Sequence, residues 1–224
     1  MADLYYIAPD YWHDEYIVLD KPLRHRFFKV MRLPESFGIV VTNGLGKVAE
    51  GMLLEDRILL KELEISPDDR IPISVYLAIL KRDKMDWAIS KLGELGVKRI
   101  VPVFTERSVV RKWGDKQVHR CQKLLASALE IRRKSWLTEC AYPVSLGNII
   151  TEIDIFFDVE GESDSNMSFP VSVLVGPEGG LSPSEKKNLL NARARPMRLT
   201  NGILRAETAV LVGVTMVACK GGLL

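Results

Sequence analysis

Cysteine, histidine and surplus charge are all scarce in this 224-residue chain. The three cysteines, Cys121, Cys140 and Cys219, are widely spaced and odd in number, which argues against a disulfide framework or a zinc site. They are expected as separate buried or idle thiols in a reducing compartment. His13, His25 and His119 lack ligand spacing, so no metal is expected. Lysines and arginines number 31 against 29 acidic residues, a formal net charge of +2. That balance is too small to mark a nucleic-acid binder, and any such role has to come from local clustering. Long apolar runs are missing too. The longest, Ala209 to Cys219, is far shorter than a membrane span and follows Arg205 and Glu207. The N-terminus carries Asp3 and no cationic start leading into an apolar core. Neither a membrane span nor a secretory leader is expected, and the expected location is the cytoplasm.

What is present suits a globular α/β chain. At 47% hydrophobic and 27% charged, it has ample material for a core in one large domain or two modest ones. Residues up to about Ile65 are β-rich: Leu4–Ile7, Ile39–Thr42, Val48–Leu54 and Arg57–Ile65. Asn43-Gly44 is a hairpin signal between two of them. One helix, His25 to Arg32, interrupts the strands, and together they predict a small barrel. Ser66-Pro67-Asp68-Asp69-Arg70 is a turn-prone linker, which predicts domains at 1–70 and 71–224. Beyond it strands and helices alternate, the signature of a parallel sheet. Strands are expected at Ile73–Leu80, Arg99–Phe104, Asp154–Val159, Val171–Val175 and Met197–Thr200. Helices are expected at Lys84–Leu95, Lys116 to about Leu137, Ser182–Asn191 and Ala206–Cys219. The last is apolar nearly all round, which predicts burial on most sides. Glu160 to Asn166 is expected to form an acidic loop.

The sharpest local signal is Gly176-Pro177-Glu178-Gly179-Gly180. It follows the β-branched run Val171–Val175 and precedes Ser182-Pro183-Ser184-Glu185, in which Ser182 can cap a helix, Pro183 fits its first position and Glu185 completes a capping box. Strand, glycine turn, helix is therefore the predicted order. In an open α/β sheet, ligands bind at the carboxyl ends of strands. Three readings are open on these residues alone. One is a tight turn with no ligand. Another is a phosphate at the helix N-terminus, which Glu178 and the lack of a following P-loop lysine weigh against. The third is a neutral or cationic ligand held by backbone groups that no Cβ obstructs.

A second stretch, Leu199-Thr200-Asn201-Gly202-Ile203-Leu204-Arg205-Ala206-Glu207-Thr208-Ala209, changes the balance. Together with the glycine turn it resembles the RsmE family of ribosomal RNA uridine-N3 methyltransferases, within the SPOUT superfamily. That family carries Gly-Pro-Glu-Gly-Gly and then Leu-Gly-x-x-Ile-Leu-Arg-x-Glu-Thr-Ala. The likeness extends to Lys91–Val97, Pro102–Ser108 and His25–Leu33, in the family's order along nearly the whole chain. It implies an N-terminal PUA-like RNA-binding β-barrel and a SPOUT α/β domain whose parallel sheet ends in a trefoil knot. It also implies a homodimer with the last helix near the interface, small-subunit (16S) ribosomal RNA as partner, and S-adenosylmethionine as cofactor.

The resemblance carries over to particular residues. Gly176, Glu178, Gly179, Gly180, Leu199, Asn201, Gly202 and Leu204 would surround the cofactor. Arg205 would be catalytic: deprotonating uracil N3 spreads charge onto the flanking carbonyls, and a fixed guanidinium can stabilise that anion. The competing reading of Arg205 is a helix-start arginine paired with Glu207 or Glu178. Glu207 and Thr208 are expected to orient it and cap the last helix, with solvent taking the proton. Basic residues at Arg24, Arg26, Lys29 and Arg32, at Arg107 with Arg111 and Lys112, and at Arg132, Arg133 and Lys134 are the expected RNA-binding clusters. Trp113 and Trp136 beside them suit either base stacking or core packing.

This chain departs from the family's Ala-x-Glu-Gln-Ser-x-Arg, having Ala128-Leu129-Glu130-Ile131-Arg132-Arg133-Lys134. Gly202 and Ala206 also replace residues that are commonly larger or hydroxylated. The same chemistry on another RNA, or a non-catalytic RNA-binding protein of the same fold, are therefore the alternatives.

Overall fold

The computed structural model describes residues 3–162 and 167–224. They form two compact units, one of 1–69 with 126–137, the other of 70–125 with 138–224.

The first unit contains β1 (Leu4–Tyr6), β2 (Tyr16–Val18), α1 (Lys21–Arg24), β3 (Phe37–Thr42), β4 (Lys47–Leu53) and β5 (Arg57–Ile65). They make a curled five-stranded sheet in the order β1-β3-β4-β5-β2, antiparallel except for β1 against β3. Asp20 caps α1 by accepting the Leu23 N–H at 2.8 Å, and the chain continues as a π-helical segment, His25–Val30. That helix therefore starts earlier than the basic-aromatic pattern suggested. It ends before Arg32, whose φ of 57° is left-handed. Its purpose is Phe27, fully buried among Ile7, Ile17, Ile39, Val41, Leu53 and Ile58. Burying such a side chain stabilises by about 1.5–3 kcal/mol. The expected β3–β4 hairpin forms over Asn43–Gly46, with Asn43 Oδ1 accepting the N–H groups of Leu45 and Lys47.

Segment 126–137 completes this unit. Glu130 accepts the Tyr6 N–H at 2.7 Å and pairs with Arg26. Trp136 donates its indole N–H to Ser66 O at 2.9 Å and lies against Gly46, where a Cβ would come within 2.7 Å of the ring.

In the second unit come β6 (Ile71–Ala78), α2 (Arg82–Leu95), β7 (Val97–Phe104), α3 (Asp115–Arg132, its last residues within the first unit), β8 (Glu139–Cys140), β9 (Val144–Ser145), α4 (Leu146–Ile149), β10 (Ile155–Glu162), β11 (Val171–Val175), α5 (Pro183–Asn191), β12 (Arg195–Met197) and α6 (Ala206–Lys220). The sheet runs β12-β10-β11-β6-β7-β8, with β9 also on β7, and every pairing is parallel. A parallel sheet needs cover on both faces. On one face α4 and α5 bring Leu146, Ile149 and Leu189 onto Tyr76, Val101, Val103, Phe156 and Leu174. Helix α6 packs on α2, β6 and β11.

Several sequence expectations are corrected. Helix α3 stops at Arg132 and not near Leu137, because Arg133 turns left-handed (φ 53°) and 135–137 serve the first unit. Strand β10 runs on to Glu162, so Glu160–Glu162 is strand, and 163–166 of the expected acidic loop lie outside the described residues. Strand β12 sits two residues earlier than expected. Helix α6 buries Val210, Val214 and Val217 but leaves Leu211, Val212, Thr215 and Met216 only half-buried, one side less than its composition suggested. Cys121 on α3 and Cys140 on β8 are joined as a disulfide, against the expectation of separate thiols, while Cys219 is free and exposed. Parallel pairing of β8 with β7 brings Cys140 back to α3, a proximity that a spacing of 19 residues does not display. Among the described residues no helix is long and apolar enough to cross a membrane.

Candidate cofactor and RNA site

Because the sheet is parallel, the carboxyl ends of β7, β10, β11 and β12 open on the same edge, and a cavity of about 370 Å³ lies there. Its size falls in the range of small-molecule sites. From β11 come Val175 and the whole run Gly176–Leu181; from the β12–α6 connection come Leu199, Thr200, Gly202, Ile203 and Leu204. Pro177 O accepts the Gly180 N–H at 2.8 Å, which closes the glycine turn. Gly180 has a φ of +68° and faces open space, so a side chain there would be strained in conformation. Gly176 is tight for a different reason: a Cβ would stand 3.3 Å from Leu181 Cγ. Thr200 folds the opposite wall, its hydroxyl donating to Gly202 O at 2.7 Å and accepting from Gly202 N–H at 3.2 Å.

The turn is held from behind by helix α5. Ser182 Oγ accepts the Glu185 N–H at 3.1 Å, and Glu185 Oε2 accepts the Ser182 N–H at 2.8 Å, the capping box foreseen from the sequence. The same carboxylate accepts the Glu106 N–H at 2.8 Å, which ties α5 to the segment after β7. Hydroxyls of Ser182 and Ser184 hold the Glu106 carboxyl below the usual range. Arg107 extends from that segment over the turn and donates to Gly179 O at 3.0 Å.

Several charges around the cavity are paired. Lys84 on α2 stands 3.4 Å from Glu178 and 3.5 Å from Glu207, so one ammonium joins the two motifs. Burial pushes the Glu178 carboxyl up, but its own N–H, the Lys81 N–H and the Lys84 charge outweigh this and leave it below the usual range. Glu207 Oε2 is buried without a hydrogen-bond partner. Across the cavity Lys186 is paired with Asp158 at 2.6 Å, which raises its pKa.

Of the residues singled out in the sequence, Gly176, Glu178, Gly179, Gly180, Leu199, Gly202 and Leu204 line this cavity. Asn201 is exposed and outside the lining. Arg205 is also outside it, between the lining residues Leu204 and Ala206, at the N-cap of α6 with its side chain exposed. Glu178 and Glu207 both face Lys84, so neither is the ion-pair partner of Arg205, and Glu207 does not orient it.

The basic clusters divide. Arg107 belongs to the cavity wall. Arg24 pairs with Glu55, Arg26 with Glu130, Arg133 with Asp3 and Lys134 with Asp69. Arg132 is partly buried, which lowers its pKa. Lys29 and Arg32 are exposed. The altered segment Glu130–Lys134 is thus largely engaged in holding the first unit together. Sequence reasoning missed Phe157, Asp158, Lys186 and Lys84. The rule that strand carboxyl ends bear ligands, applied to β10 as well as β11, would have nominated the first two. Nothing local pointed to Lys84. Among the described residues no group of three or more His, Cys, Asp or Glu side chains is placed to hold a metal.

Comparison with known proteins agrees with this arrangement. The profile of the RNA methyltransferase domain family matches residues 67–218. Ribosomal RNA small subunit methyltransferase E of Aquifex aeolicus is 28% identical over 83% of this chain and 87% of its own length. A ribosomal RNA small subunit methyltransferase E from Neisseria gonorrhoeae, solved bound to S-adenosyl methionine, superposes with a TM-score of 0.85 at 22% identity over 98% of each chain. A putative methyltransferase from Legionella pneumophila, solved with the cofactor SAM, gives 0.88 at 21% identity, again over 98% of each. At those identities the two structures establish the fold. The family profile covers well over half of the sequence, and the chain belongs to the RNA methyltransferase domain family, as an RsmE-type member.

Proposed function

We propose that this chain is an S-adenosylmethionine-dependent methyltransferase acting on N3 of a uridine in small-subunit (16S) ribosomal RNA, as a cytoplasmic homodimer. In this reading the first unit is a PUA-like barrel, and the β11–α6 region is threaded as a trefoil knot. The cavity fits the cofactor on its own terms. Apolar walls from Val175, Leu181, Leu199 and Leu204 suit a planar base, and the backbone groups of the two turns suit its polar edges. Gly180 and Gly202 leave space that a Cβ would narrow. When bound, the cofactor supplies an electrophilic methyl group.

The chain's own residues then have to position uracil and stabilise the charge that appears as N3 loses its proton to solvent. The observation that carries the reading is Arg205. It is exposed beside the cavity, and the two nearby carboxylates of the matched motifs, Glu178 and Glu207, are held by Lys84. Its guanidinium is therefore available to donate to the carbonyl oxygens flanking N3, where negative charge develops. Lys84 acts at one remove, fixing the glycine turn against the start of α6. The half-buried side of α6, with Leu211, Val212 and Met216, supports the dimer.

The test separates binding from chemistry. Arg205→Ala should lower single-turnover methyl transfer to 16S RNA by roughly a hundredfold or more, with cofactor affinity nearly unchanged. Arg205→Lys should recover little, since an ammonium lacks the planar pair of donors. Near-normal turnover in Arg205→Ala would remove the central group of this mechanism.

A further inference from the structure

A second cavity, of about 490 Å³, lies within the second unit between α2, the segment after β7, and the first half of α3. No step proposed above uses it. Leu80, Met85, Ile89 and Val110 form apolar walls, and Trp113 joins them. Its charge is one-sided: Arg82, Lys112, Lys116, Arg120 and Lys123 surround it against a single carboxylate, Asp86. That carboxylate is already taken, because Arg120 grips both its oxygens at 2.8 Å and so clamps α3 to α2. The side chains of Arg82, Lys112, Lys116 and Lys123 have no partner among the described residues, unlike most of the clusters read from the sequence. In a chain of net charge +2, such a concentration calls for an anion.

Three features narrow the anion. Lys116, Arg120 and Lys123 recur at the spacing of one helix face, which makes a row of charge and not a point. Apolar walls beside that row suit a ligand that is part flat and apolar, part anionic. Of the three tryptophans that are not exposed, Trp12 and Trp136 anchor their indoles on Ile7 O and Ser66 O, whereas the buried N–H of Trp113 has no acceptor. That buried N–H is a polar atom of the cavity lining left without an acceptor, which the carbonyl of an entering base can supply.

We propose that this cavity is a second nucleotide-binding site, in which one unstacked base of single-stranded RNA packs on Trp113 while the adjoining phosphates lie on Arg82, Lys112, Lys116 and Lys123. Stacking on an aromatic side chain next to a basic track is how single strands are held without sequence readout. The link to the first cavity is short. Arg107 touches Gly179, and Trp113 follows six residues later, at most about 22 Å along the chain. One RNA segment can therefore reach both. This inference rests on the RNA-methyltransferase reading for its substrate, but its own evidence is the cavity.

The experiment uses the full chain, 16S RNA for methyl transfer, an oligouridylate for binding, and the variants Trp113→Phe, Trp113→Ala and Lys116→Glu/Lys123→Glu. The double charge reversal should raise KM for 16S RNA about tenfold or more and flatten the salt dependence of oligouridylate binding. Its kcat at saturating RNA and its affinity for S-adenosylmethionine should stay near wild type. Trp113→Ala should weaken oligouridylate binding several-fold and Trp113→Phe should restore most of it, while the affinity of Trp113→Ala for S-adenosylmethionine stays near wild type, which a general packing defect would not leave unchanged. Wild-type KM and salt slope in the charge reversal would overturn the proposal. So would uridine monophosphate binding as tightly as the oligomer, or the charge reversal changing only the oligomeric state. If the wild type binds oligouridylate but transfers no methyl group, the methyltransferase reading fails, and loss of binding in the variants still upholds the site.

Discussion

Replacing Glu185 with alanine tests how the glycine turn is held. Glu185 is 7% exposed, and its two oxygens accept the N–H groups of Ser182 and Glu106, both at 2.8 Å. Alanine removes both acceptors and leaves no side chain able to replace them. An orphaned buried N–H costs about 1–3 kcal/mol; that of Ser182 is buried and that of Glu106 partly so. Loss of an acidic group in the first turn of α5 adds a few tenths. Together the cost is about 2–4 kcal/mol, a large share of the 5–15 kcal/mol that keeps an average domain folded. For a chain of this length it corresponds to a fall in Tm of about 5–15 °C. Glutamine keeps one carbonyl acceptor, so Glu185→Gln should lose about half as much. Urea unfolding followed by circular dichroism at neutral pH gives the comparison, with cofactor titration in parallel. Because the turn hangs on this carboxylate, cofactor affinity should fall with stability in the order wild type, Gln, Ala. If Glu185→Ala unfolds within about 0.5 kcal/mol of wild type, the carboxylate does not hold the turn.

Two further outcomes follow from the same geometry. A Cβ on Gly213 would overlap the ring of Phe157, which lines the first cavity; Gly213→Ala should therefore cost about 1–3 kcal/mol and weaken cofactor binding, both measurable by denaturation and calorimetry. Lys84→Met should destabilise by about 1–2 kcal/mol at neutral pH, the three charged side chains being only partly exposed. The pH dependence has a definite sign: Glu178 is held below its ordinary pKa of 4.5, so its contribution is present above that value and lost as pH falls through the folded one. The gap between wild type and Lys84→Met should accordingly narrow as pH falls below about 4.5, and a gap constant from pH 7 to pH 3 would exclude Lys84 from the groups that, with the two backbone N–H donors, hold Glu178 ionised.

The sequence by itself determined what depends on near neighbours. Ser182, Pro183 and Glu185 lie within one turn of helix, and the capping box they spell is the one that forms. Val171–Val175 is β-branched and apolar because β11 is covered on both faces, and the Asn43-Gly44 hairpin forms where its side chain can bridge its own backbone. The glycine-rich and arginine-bearing motifs were legible too, since a turn that keeps its backbone clear must be written in glycine. Tertiary structure decided the rest. Strands as short as β2, β8 and β9 have no periodicity to read and exist because a distant partner supplies their hydrogen bonds. Helix α3 should have continued by propensity, but Trp136 finds Ser66 and Gly46, and that packing ends it. The disulfide, the second partner of Glu185, the meeting of Lys84 with Glu178 and Glu207, and the basic cavity around Trp113 all join residues that parallel pairing brings together across intervening elements. A local pattern fixes backbone shape because its energy lies within a few residues. Which charges face one another depends on the order in which strands lie side by side, and that order is set by burial summed over the whole sheet.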